Sequence, residues 1–98
     1  MSALARVREV TVTGARELRV VFTDGLVREL DFTGVLAGVL AVIDSDEAFA
    51  AAGVDVVAGT VSWPQGVDFD PDVLHGDAAP ASASAPRLVR EYRLEHTV

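Results

Sequence analysis

Ninety-eight residues with a net charge of −7, half of them apolar and none of them cysteine, already bound the protein. A chain of this length forms one domain that buries roughly two thirds of the surface its unfolded form exposes, and a mean hydropathy of +0.32 argues against disorder. The absence of cysteine excludes disulfides, thiolate zinc sites and cysteine nucleophiles. The longest apolar run, 34–43, is about half the ~20 residues that a membrane span needs. No cationic segment followed by an apolar stretch opens the chain, so a cytoplasmic location is expected.

The charge is unevenly spread. Residues 1–23 balance at +2 and residues 78–98 at +1, whereas residues 24–77 hold eleven acids against Arg28 alone, a balance of −10. An acidic middle repels a phosphate backbone, so direct nucleic-acid binding is not expected. The same field steers a basic protein toward this surface, although a solvated acidic exterior also simply keeps a small protein soluble.

From 6 to 32 the side chains alternate with a period near two and are rich in valine, with turn residues at Thr13-Gly14 and Thr23-Asp24-Gly25. This predicts a three-stranded antiparallel meander. A two-residue Asp-Gly loop would set Val20 opposite Glu29 and Leu18 opposite Asp31. A three-residue loop with Gly25 left-handed instead aligns Phe22 with Leu26, Val20 with Arg28 and Leu18 with Leu30, and is the register expected here. The buried face is then Val10, Val12, Leu18, Val20, Phe22, Leu26, Leu30 and Phe32.

Thr33 can cap a short helix over 34–41, weakened by Gly34 and Gly38 at about 1 kcal/mol each. Asp44-Ser45-Asp46-Glu47 supplies an acidic start for a second helix through Ala52, stopped by Gly53. Residues 54–57 and 60–63 read as a second β-hairpin, ended by Pro64-Gln65-Gly66. Asp70 is a good N-cap, Pro71 fits the first helical position, and Asp72 complements the dipole of a short helix through His75. The expected fold is α+β: a three-stranded meander plus a second hairpin, packed with two or three short helices, within a single domain over 1–77. Residues 78–86 are an Ala/Ser/Pro linker, and 87–98 form a tail that docks on its own domain or pairs with another chain. Leu88 and Tyr92 are spaced as on a helix, yet Tyr92, Leu94, His96 and Val98 alternate as on a strand, so periodicity does not decide.

Candidate chemistry is thin. Asp68-x-Asp70-x-Asp72 starts like a calcium loop, but the sixth position is Val73 and the twelfth Ala79, where such a loop needs glycine and glutamate. Helix capping explains the aspartates better. Ser45 and Ser62 lack a glycine-flanked elbow, and only His75 and His96 could serve as base. No glycine-rich phosphate loop is present, and no cofactor or metal is expected. Trp63 reads as the large core anchor whose N–H seeks a carbonyl, or else as an exposed contact, and His75 as a cap for helix carbonyls.

The stretch Phe49, then Gly59-Thr60-Val61-Ser62-Trp63-Pro64-Gln65-Gly66-Val67-Asp68, then Pro71 and Leu74, taken with Phe22-Thr23-Asp24-Gly25 and Asp31-Phe32, resembles domain of unknown function 2442. That small bacterial family has a turn of this Asp-Gly type, a glycine-threonine strand ending in Trp-Pro-x-Gly-x-Asp, and a following Pro-x-x-Leu. The likeness covers about 7–76, and His75 departs from the aromatic residue expected after that leucine. The resemblance implies a compact α+β domain with no known enzymatic activity and an antitoxin-like role beside a small protein encoded nearby. It carries over no catalytic positions.

The expected function is a non-enzymatic interaction module for a small basic partner, self-associating as a dimer through an edge strand or the tail. The candidate contacts are Trp63, Asp68, Asp70, Asp72, His75, Leu88, Tyr92 and Leu94. The alternative is a small-ligand sensory or regulatory domain with its pocket between the meander and the Phe49 helix. A hydrolase or metal enzyme fits the residue inventory least.

Overall fold

A computed structural model describes residues 5–76 and 86–94. Two antiparallel sheets share one core. The first has the order β1 (Val7–Gly14), β2 (Glu17–Phe22), β3 (Leu26–Asp31) and β7 (Arg87–Arg93). The second runs β4 (Gly53–Asp55), β5 (Thr60–Trp63) and β6 (Val67–Asp68). Two short helices, α1 (Asp46–Phe49) and α2 (Pro71–His75), and a 3-10 helix over Gly38–Ile43 complete an α+β fold.

The meander has the expected register: Leu18 faces Leu30, Val20 faces Arg28, and Gly25 sits at φ 89° in the turn. The side-chain carboxylate of Asp24 accepts from the Leu26 amide at 2.9 Å and closes that turn. Leu18, Val20, Phe22, Leu26, Leu30 and Phe32 are buried on one face, with Val10 and Val12 packed against them. Parity alone did not reveal that the opposite face also holds two buried valines, Val21 and Val27, with Tyr92 of β7 directly across from Val27.

The second helix ends at Phe49 and not Ala52, β4 spans Gly53–Asp55 and not 54–57, and three further elements differ from the sequence expectation. Helix over 34–41 gives way to turns and then the 3-10 helix, because Gly34 and Gly38 both take positive φ, at 81° and 62°. Residues in that region cannot continue a right-handed helix. The second hairpin gains a third strand in β6, which pairs Val67 with Trp63. The meander gains a fourth strand in β7, antiparallel to β3, with Val89 as the extra residue of a bulge between the Glu29–Arg90 and Leu30–Leu88 pairs. Residues 77–85 and 95–98, which include most of the linker and the end of the tail, lie outside the described residues.

Aromatic side chains close the core between the sheets. Phe32 lies 5.5 Å from Phe49, 5.1 Å from Phe69 and 6.4 Å from Trp63, centroid to centroid. Such tilted and edge-on pairs add to what burial alone contributes. The helices are placed by their caps: the Ser45 hydroxyl accepts from the Ala48 amide, and the Asp70 carboxylate accepts from the Asp72 amide. The left-handed Gly76 ends α2.

Candidate interaction surface

The acids of the central segment are spread over turns, caps and strand flanks. Asp55 accepts from the Val57 and Ala58 amides, while Asp44 and Asp46 together hold Arg16 at 3.0 and 2.7 Å. Among the described residues no group of three or more His, Asp or Glu could hold a metal ion. Asp68 is exposed at the end of β6, and Asp70 and Asp72 belong to the first turn of α2.

Along β3 the acids have a different partner. Asp31 gives one oxygen to the Thr33 amide and the other to Arg87 of β7 at 2.9 Å. Glu29 lies 4.0 Å from Arg90. Asp24, one oxygen committed to its turn, presents the other to His75 at 2.8 Å and to Arg93 at 4.0 Å. The single cation of the acidic segment answers in kind, since Arg28 Nε stands 3.0 Å from Glu91. The flank of β3 and the length of β7 therefore match charge for charge, acid to base at three places and base to acid at one.

Arg28 was not singled out by the sequence, yet it ties three elements together. Its side chain is 12% exposed, its Nη1 donates to the Leu74 carbonyl at 2.7 Å, and its Nε faces β7. A Cβ at Gly76 would come within 2.8 Å of that Nη1, so glycine at 76 provides both the left-handed backbone and the room. Arg28 thus caps α2, the role the sequence had suggested for His75. His75 instead folds back across the hairpin, its ring edge-on to Phe22 at 4.7 Å and its Nε2 on Asp24. The signal for Arg28 was its isolation among eleven acids.

The remaining candidates divide cleanly. Trp63 is interior, 3% exposed, and its Nε1 donates to the Phe49 carbonyl at 2.9 Å. Leu88 faces Leu30, Tyr92 faces Val27 with the Arg90 guanidinium 4.8 Å over its ring, and the Leu94 amide donates to the Gly25 carbonyl. The structure thus brings His75, Leu88, Tyr92 and Leu94 to one flank of the β2–β3 hairpin.

The space expected for a ligand, between the meander and α1, is filled by Phe49 against Phe32 and Trp63. An open groove of about 450 Å³ lies elsewhere, lined by Val39, Leu40, Val42 and residues 65–68.

Two carboxyls on the β3 flank are shifted. Partial burial pushes the Asp24 carboxyl up, but the Leu26 amide, His75 and Arg93 together outweigh it and hold it below its ordinary value of 3.8. The hydroxyl and amide of Thr33, and then Arg87, hold Asp31 below the same value. A carboxyl depressed in the folded state stabilises fully above its unfolded pKa and loses that contribution as pH falls through the folded one. Acidification below 3.8 should therefore loosen this flank. Hydrogen exchange followed from pH 5 downward should show the Leu26, Thr33 and Leu94 amides losing protection before those of β5, and simultaneous loss would contradict it.

No helix among the described residues is long and apolar enough to cross a membrane. No curated protein and no solved structure matches this chain. One family model does, that of the protein of unknown function DUF2442, over residues 7–78. The matched stretch holds every element from β1 to α2 and leaves β7 outside. The chain belongs to the DUF2442 family.

Proposed function

We propose that this protein is a non-enzymatic interaction module that binds a small basic protein, in the manner of an antitoxin. The observation that carries the reading is the β3 flank, where the acids Asp24, Glu29 and Asp31 already hold arginines of an extended chain. A surface that accepts arginine on a strand is chemically suited to a basic partner, and the −10 balance of residues 24–77 supplies the field that draws one in. That same field disfavours direct contact with nucleic acid. The reading makes this a bacterial cytoplasmic protein, and exposed Val39, Val42, Val56 and Val57 give it apolar surface for self-association as a dimer. The groove beside Val39 and Val42 supports a second reading, a small-ligand regulatory domain.

Co-purification with the product of the adjacent reading frame tests the first reading. A stable complex at physiological salt, tighter at low salt, is the expected result. No complex at either salt would remove the reading.

A further inference from the structure

We infer that the outer edge of β3 is a strand-docking site for an extended basic segment of the partner protein, and that β7 is the chain's own competitor for that site. The inference rests on the interaction reading and names where the partner would sit.

Three observations converge on it. The first is the ionic order along the edge, in which Asp31, Glu29, Arg28 and Asp24 meet Arg87, Arg90, Glu91 and Arg93. An incoming segment would have to present cations three residues apart with an acid directly after the second. The second is how lightly β7 is held by apolar contact. None of its side chains belongs to the core cluster, and Leu88 and Val89 are 43% and 44% exposed. Its attachment is backbone pairing, charge and one apolar pair, Tyr92 across from Val27, which are interactions that another strand of like sequence can reproduce. The third is that β7 lies beyond the family match, which ends at residue 78, after which comes an Ala/Ser/Pro stretch. The matched stretch holds β3 and not β7, so in this chain the strand that covers the edge comes from outside it.

Because β7 is covalently joined to the domain, it competes for the edge at an effective concentration on the order of millimolar. A free peptide would displace β7 poorly, and a whole partner with contacts elsewhere would displace it well. In this way β7 sets a threshold, so weakly basic proteins drawn in by the acidic surface do not gain the edge.

The test uses the full chain and a labelled synthetic peptide with the sequence of residues 86–94. Arg87→Glu/Arg90→Glu/Arg93→Glu in the chain sets like charges against β3, and these side chains are 71%, 67% and 61% exposed, so the core is untouched. The peptide should bind this variant at least about tenfold more tightly than the wild-type chain, the sum of three surface pairs reversed. Backbone amide shifts should fall on residues 24–31, and a peptide bearing the same three glutamates should not bind. Equal binding to both chains, no binding to either, or shifts elsewhere would overturn the docking site. If the peptide docks but the neighbouring gene product does not bind, the function reading fails and the edge stands. If that product binds wild type and variant equally, the edge fails and the function reading stands.

Discussion

Replacing Trp63 by alanine is expected to cost about 3–5 kcal/mol, a large share of the ~5–15 kcal/mol available to a domain of this size. The indole is buried and ringed by Phe49 at 5.6 Å, Phe69 at 5.9 Å and Phe32 at 6.4 Å, so its removal opens a cavity among rigid rings that cannot close over it. It also removes one of two hydrogen bonds that the Phe49 carbonyl accepts, the other coming from the Ala52 amide at 3.2 Å. Trp63→Phe separates these effects: it keeps most of the apolar volume and loses the hydrogen bond, at about 0.5–1.5 kcal/mol, since the carbonyl keeps the Ala52 amide. Urea unfolding followed by far-ultraviolet circular dichroism measures both, since neither variant has a tryptophan to report. Equal cost for the two variants would show that the hydrogen bond, and not packing, governs this site.

Ending the chain at Asp77 should leave a folded domain that is less stable by about 2–4 kcal/mol. It should fold because the core cluster draws on β1 to α2 and takes nothing from β7. It should lose stability because Val27, 1% exposed beside Tyr92, is uncovered, and burying a valine is worth about 1.5–3 kcal/mol. The ionic pairs to β7 add roughly 0.2–1 kcal/mol each. A urea midpoint lowered with cooperativity retained is the expected outcome. A truncated chain that shows no cooperative transition would mean that β7 belongs to the folding unit.

How much of this could be read from residues alone differs by element. The meander was legible because its turn and its parity agree: only one loop length puts Leu18 across from Leu30 while leaving Glu29 and Asp31 outward. The loop after Phe32 was not, since apolar spacing over 34–41 looks helical and nothing in it says that both glycines turn left-handed. β7 resisted assignment for a specific reason. Its bulge at Val89 breaks the alternation of two, so a strand presents apolar residues at a mixed spacing. The candidate surface was half visible. The acid run pointed to a basic partner, but the ladder that orders those acids arises only when residues about sixty apart in sequence are laid side by side, as with Asp31 and Arg87. Arg28 took the capping duty expected of His75 because a cap depends on which side chain reaches the helix end in space, and the arginine arrives from β3.

The two flanks of the larger sheet meet water differently. On the β1 side the turn between β4 and β5 covers the start of the strand, where the Val7 amide donates to the Gly59 carbonyl and Arg6 to the Val56 carbonyl. On the β7 side, among the described residues, no strand pairs with the peptide groups facing away from β3, the geometry from which fibrils grow. Arg87, Arg90 and Arg93 stand along this border, and in-register stacking would bring like cations to within about 4.8 Å of their copies. A predominantly anionic protein therefore guards its polymerisable border with positive charge. Neutralising those arginines, even while making the molecule more negative overall, would remove the guard.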